Sequence, residues 1–264
     1  MHILETATGT LFGHRADERF LMCSTFKLLA SALVLRRFDR GQESLDRRIV
    51  FGPGDLLPHS PITEQHAGGN GMTLGELCAA TLTNSDNAAA DLILARYGGP
   101  NAFTRFARSL GDTLTRLDHT EPTLNVWRDA ASDTTSPRAM LASLRRVALG
   151  VASRDTLQHW LHANTTGKAR LEAGLPAGWS ICDKTGSTDH DGFGATTNDI
   201  ALVWPPGRAP LLVTAFLTRS RAHPERATRS WRKSVHCSDA KPRPPGASDA
   251  TLAQVGALLP MIVG

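Results

Sequence analysis

Residues 25–37 are apolar on almost every helical side: Phe26, Leu28, Leu29, Ala30, Ala32, Leu33, Val34 and Leu35 leave no polar stripe. A helix of that kind belongs at the centre of a domain, because a surface helix keeps one wet face. Lys27 is the exception. A lysine so placed either snorkels to water or meets partners that compensate its desolvation, and in the second case its pKa falls. Ser24 lies three residues earlier, so both side chains project on one face of the first helical turn. Alone, the pair reads better as a serine N-cap followed by a surface lysine. The chain can build around such a helix: with 264 residues, 41% hydrophobic and 20% charged, it fits one large domain or two that share a cleft.

Three further polar strings interrupt apolar patterning. Ser85-Asp86-Asn87 separates helical stretches expected at 73–83 and 88–97, where residues that compete for backbone hydrogen bonds make a good turn and cap. Between 111 and 137 periodicity fades and turn formers accumulate, predicting a compact surface loop that carries Glu121-Pro122-Thr123-Leu124-Asn125. Helical patterning returns at 137–162. Short β-type runs follow at 179–182, 199–204 and 211–217, with Lys184-Thr185-Gly186-Ser187 just after the first of them, a context that places it on a strand able to line a cleft, the alternative being an ordinary strand-end turn. Residues 1–5 read as a strand that turns into a second, and 248–259 as a helix capped by Ser248.

Each string is weak evidence alone, since common residues at short spacings recur by chance. All four, once each and in this order, resemble the active site of the class A serine β-lactamase family. The resemblance runs over residues 3–220 and resumes near Asp249. It implies an α+β, two-domain fold of the β-lactamase/D,D-peptidase type: an antiparallel sheet flanked by helices from 1–19 and 168–264, and an all-helical domain from 20–167. It also implies a chemistry. Ser24 would attack a β-lactam carbonyl, with Lys27 or Glu121 as the base in acylation and Glu121 with Asn125 holding the water of deacylation. Ser85, helped by Lys184, would relay a proton to the ring nitrogen, and Asn87 would contact the substrate's side-chain amide. Thr185, Gly186 and Ser187 would line the substrate-binding strand, and the backbone N–H groups of Ser24 and Ser187 would form an oxyanion hole. Thr196-Thr197-Asn198 stands where some relatives place a carboxylate-binding arginine; Arg170 is the implied substitute, its bland alternative being a surface arginine near a helix end.

Several features depart from that pattern. The chain lacks the relatives' export signal and first helix, and the hairpin after Lys184 is longer than usual. By the resemblance, His119 and Asp133 lie at the two ends of the loop, where relatives often pair Arg with Asp. The disulfide partner of Cys78 is replaced by Ser31, so Cys23, Cys78, Cys182 and Cys237 are expected as buried apolar groups. The net charge of +4 comes from one place: Arg219, Arg221, Arg226, Arg229, Arg232, Lys233, Lys241 and Arg243 lie close together, while the rest of the chain is slightly acidic. Residues 221–246 therefore read as an insertion without a catalytic part. A soluble, exported monomer acting on a small-molecule β-lactam is expected, without metal, cofactor, nucleic acid or membrane partner. The rival readings are a D,D-peptidase or sensor that accumulates acyl-enzyme, and an inactive relic.

Overall fold

The computed structural model describes residues 1–190 and 194–220. The helix expected at 248–259, the basic stretch 221–246 and Cys237 lie outside the described residues, as does the tip of the long hairpin.

β1 (His2–Glu5) turns into β2 (Leu11–Gly13), and β3 (Phe20–Leu21) leads through a single 3₁₀ turn, Cys23–Thr25, into α1 (Phe26–Asp39). Every residue from Phe26 to Ala32 is buried, Lys27 included, as are Val34 and Leu35. The all-round apolar pattern thus places α1 at the centre of the helical core. β4 (Arg48–Ile49) pairs with β5 (Met72–Thr73), and Thr73 then caps α2 (Leu74–Thr83). The Thr73 hydroxyl accepts the Glu76 N–H at 3.1 Å while the Glu76 carboxylate accepts the Thr73 N–H at 2.7 Å. That reciprocal box fixes where α2 starts.

α3 (Asn87–Tyr97) is followed directly by α4 (Gly99–Ser109). α4 is hidden in the sequence, because Gly98-Gly99-Pro100 looks like an interruption. Gly98 ends α3 at φ +98°, and a proline in the first turn of α4 forfeits no needed N–H. β6 (Thr134–Thr135) pairs with β3, tying the end of the 111–137 loop to the residues that precede Ser24. The helical stretch expected at 137–162 is two helices, α5 (Pro137–Leu149) and α6 (Arg154–His162), broken where Gly150 takes the C-cap position.

β7 (Ser180–His190), β8 (Gly194–Trp204) and β9 (Leu211–Ser220) complete an antiparallel sheet ordered β2-β1-β9-β8-β7 among the described residues. These strands are longer than hydropathy predicts. Apolar alternation stops at Cys182, yet the ladder continues through polar residues, pairing Lys184 with Ile200 and Gly186 with Asn198. Lys184-Thr185-Gly186-Ser187 therefore lies on a strand, as expected, and not in a strand-end turn. Period-two alternation sends Ile181, Val203 and Val213, with Ile3, to one buried face. Cys182, Leu202, Leu212 and Phe216, with Leu4, join the helical core on the other, where α5 packs on β9 and α6 on β7. The architecture is the α+β arrangement expected from the sequence, an antiparallel sheet flanked by helices.

Candidate active site

The turn carrying Ser24 is held against the sheet. A Cβ at Gly186 would lie 2.8 Å from the Met22 carbonyl oxygen and 3.0 Å from the backbone nitrogens of Ser24 and Thr25, so only glycine lets β7 approach this closely. Asn198 in β8, fully buried, donates its side-chain amide to the carbonyls of Leu21 at 2.8 Å and Met22 at 3.1 Å. Cys23, just before the serine, is held at φ +44°, a conformation that costs an L-residue about 1–2 kcal/mol. Strain of this kind persists only where surroundings over-determine the backbone.

Lys27 is the hub. Its ammonium lies 3.0 Å from Ser24 Oγ, 2.7 Å from the Ser85 carbonyl, 2.5 Å from Asn87 Oδ1 and 3.1 Å from Glu121 Oε1, with Ser85 Oγ at 3.4 Å. Three N–H donors cannot serve five oxygens at full strength, so hydrogen bonds and protons can be redistributed among them. The Lys27 and Glu121 side chains are 0% and 1% exposed. Burial holds the Lys27 pKa below the ordinary lysine value, and the Glu121 carboxylate opposes that shift.

Lys184 approaches from β7. It is fully buried and donates to Ser85 Oγ and to the Thr185 carbonyl, each at 3.0 Å. Burial first, and then the charge of Lys27, push its pKa well below the usual value. Ser85 sits at φ +58°, and Asp86 fixes that turn. The Asp86 carboxylate caps α3 through the Ala89 N–H at 2.9 Å and takes the N–H groups of Ile62 and Thr63, each at 2.9 Å. Asn87 is anchored by its amide to the Pro58 carbonyl at 2.7 Å.

Glu121 reaches the cluster from the 111–137 loop. Its Oε1 accepts from Ser24 Oγ at 3.3 Å and its Oε2 from Asn125 Nδ2 at 2.7 Å. The neck of the loop is closed by His119 Nδ1 and Asp133 Oδ2 at 2.6 Å, while Asp133 Oδ1 accepts the N–H groups of Asp118 and His119 at 2.8 and 2.9 Å. The histidine thus stands in a pair at the position the sequence singled out.

Arg170, in a turn before β7, reaches the strand that carries Lys184. It donates Nη1 to the carbonyls of Gly186, at 2.9 Å, and Asn198, and Nη2 to Ser187 Oγ at 2.5 Å. This makes it a pinned charge beside Ser187 rather than a loose surface arginine. Beneath it, burial raises the pKa of both Asp183 and Asp199, that of Asp199 well above the carboxylate range, helped by the charge of Asp183. Thr185 Oγ1 meets Thr166 Oγ1 at 2.5 Å.

Sequence reading missed three supporting residues. Asp91 accepts the Glu121 N–H at 3.2 Å and a bond from the Thr120 side chain, and burial, chiefly, pushes its pKa up to about 6. Its signal was present: it stands one helical turn after Asn87, on the same face. Asn198 attracted notice only for not being arginine, and Thr166 carries no pattern at all. Cys23, Cys78 and Cys182 are buried and unbridged, and burial raises the thiols of Cys78 and Cys182 to about 12, which leaves them unreactive.

This geometry agrees with what the chain resembles as a whole. A family profile described as "Beta-lactamase enzyme family" matches residues 1–233. The β-lactamase CTX-M-25 of Escherichia coli is 47% identical over 228 residues, covering 84% of this chain and 77% of that protein. The β-lactamase L2 of Stenotrophomonas maltophilia is 47% identical over 233 residues, covering 86% and 75%. Among solved structures, a class A β-lactamase described as the last common ancestor of Gram-negative bacteria superposes with a TM-score of 0.82 at 53% identity, covering 86% of this chain and 87% of that one. Fold, motif order and overall similarity converge, and the chain belongs to the class A β-lactamase family.

Proposed function

We propose that this protein hydrolyses the β-lactam amide of penicillin- or cephalosporin-type antibiotics through a Ser24 acyl-enzyme, conferring resistance. The observation that carries the reading is the buried Ser24–Lys27–Glu121 cluster, with Asn125 on the second oxygen of Glu121. Lys27 at 3.0 Å and Glu121 at 3.3 Å both reach the Ser24 hydroxyl, so either group can take its proton as Oγ bonds to the ring carbonyl carbon. The C–N bond then breaks, and Ser85, bonded to Lys184, delivers a proton to the departing nitrogen. The developing oxyanion falls to the backbone N–H groups of Ser24 and Ser187. Deacylation belongs to Glu121. Asn125 Oδ1 is buried with no hydrogen-bond partner among the described residues, and it serves as the acceptor that orients the attacking water beside that carboxylate. Water adds to the ester, Ser24 regains its proton, and a ring-opened acid leaves.

The D,D-peptidase and sensor readings require an ester that persists, which a Glu–Asn pair beside the serine opposes. Purified protein given a chromogenic cephalosporin, with intact mass followed in parallel, should show many turnovers and no lasting adduct. A stable adduct at full occupancy, or no reaction, overturns the proposal. Among the described residues no helix is long and apolar enough to cross a membrane. An exported, periplasmic or secreted monomer is the setting in which such an enzyme meets its substrate.

Arg170 is assigned to the substrate carboxylate, through its fixed charge and through the Ser187 hydroxyl it holds. Arg170→Ala should raise KM for penicillins about tenfold or more, with kcat changed only a few fold, because the lost contact is made equally in ground and transition states. Steady-state kinetics decide it; an unchanged KM removes the assignment.

A further inference from the structure

The second half of α1 meets α3 and α4 at an open groove of about 460 Å³, lined by Arg36, Arg37, Arg40, Arg96 and Arg105 among others. Lys27 stands at the other end of α1, and nine residues at 1.5 Å each put about 14 Å of helix between it and Arg36. Gathering like charges is unfavourable unless something compensates them. Arg96 reaches a carboxylate, Glu43, at 3.6 Å, but Glu43 is already held by Arg47 at 2.5 Å and by the Tyr97 hydroxyl at 3.2 Å. Among the described residues no ion pair is formed by Arg36, Arg37, Arg40 or Arg105.

Two of them, Arg36 and Arg37, are held in place. Arg37 lies 5.2 Å over the Tyr97 ring and Arg36 5.8 Å over the Phe106 ring, and Arg36 also donates to Ser109 Oγ at 3.1 Å. Arg37 Nε is buried and has no hydrogen-bond partner among the described residues. Stacking orders the guanidinium planes in advance, which lowers the entropy lost when a ligand binds them. Burial, and then the charge of Arg40, lower the pKa of Arg36. Helix C-termini attract cations, and that accounts for Arg36, Arg37 and Arg96 in the last turns of α1 and α3. It accounts equally for Arg40, the C-cap residue of α1, but not for Arg105 inside α4, which faces the same groove.

We propose that this groove is a binding site for a small polyvalent oxyanion of the phosphate class, held by Arg36, Arg40 and Arg105 and separate from the substrate cleft. Planar guanidinium forks match phosphate oxygens in pairs, and the volume is that of a small-ligand site. Several cations around one groove favour a chain of phosphates over a single one.

The test is calorimetric titration of inorganic tripolyphosphate into the full chain at about 0.15 M salt, where surface pairs are screened. Saturable one-to-one binding is expected, weakened at least tenfold in the variant carrying Arg36→Gln, Arg40→Gln and Arg105→Gln. β-Lactam hydrolysis by that variant should be unchanged, showing that it folds; should it not fold, the single Arg105→Gln variant should weaken binding about threefold. Absence of saturable binding overturns the proposal. So does binding that the groove variants leave unaltered, since it would then belong to other basic residues such as those between 219 and 243.

Discussion

Glu121→Ala protein mixed with a cephalosporin should gain the mass of one opened β-lactam and keep it. The Ser24 hydroxyl retains Lys27 at 3.0 Å as a base, so the first step proceeds. The second step loses the carboxylate that activates water, and general-base catalysis of that kind is worth about 10²–10⁴-fold. Turnover should fall by at least that factor while the adduct forms to full occupancy. Ser24→Ala is the matching control and should show neither adduct nor hydrolysis. Intact-mass spectra taken from seconds to hours separate the outcomes. Fast turnover by the Glu121 variant would mean that another group activates the deacylating water.

Lys27→Ala should destabilise the fold and slow acylation, since it leaves only Glu121, 3.3 Å from Ser24 Oγ, to take the serine proton. Its ammonium and the Glu121 carboxylate are both shielded from water, 3.1 Å apart, and removing one member of such a pair leaves an uncompensated buried charge. The expected loss is about 3–5 kcal/mol, far above the effect of a surface pair. Replacing both partners by uncharged residues of similar size, Lys27→Met with Glu121→Gln, should recover much of that stability and none of the activity. Urea unfolding measures the first quantity and acylation kinetics the second. If the single variant is as stable as the wild type, the pair is not isolated from solvent in solution.

How much of this was legible in the sequence depended on whether a residue acts through its own chemistry or through its place. Ser24, Lys27, Ser85, Glu121 and Lys184 could be found because their four strings, in that order, resemble the class A β-lactamase active site. Asn198 holds the backbone of the nucleophile turn from a distant position and leaves no local pattern, whereas Asp91, which holds the Glu121 backbone, was signalled only by its place one turn after Asn87. The fold shows the same division. α1 announces itself by hydropathy, whereas the polar half of β7 is a strand only because β8 pairs with it residue for residue. α4 was hidden by two glycines and a proline that mark the junction of two helices and not a loop. Asp86 reads as a turn residue in the sequence, and only Ile62 and Thr63 show how firmly that turn is locked.

The sheet's connectivity has a genetic consequence. Ile3 pairs with Val213, so the first strand leaves the ribosome long before its partner exists. At roughly 5–20 residues per second the delay is on the order of 10–40 s, during which β1 has an open edge. Every proposed catalytic residue is already translated by Ser187. A nonsense allele stopping between there and Leu211 would encode the complete catalytic set but no β9, and hence no sheet to press Gly186 against the serine turn. Such alleles should give no resistance even where the truncated product accumulates, and a screen for the intact active-site strings alone would miscount them as functional.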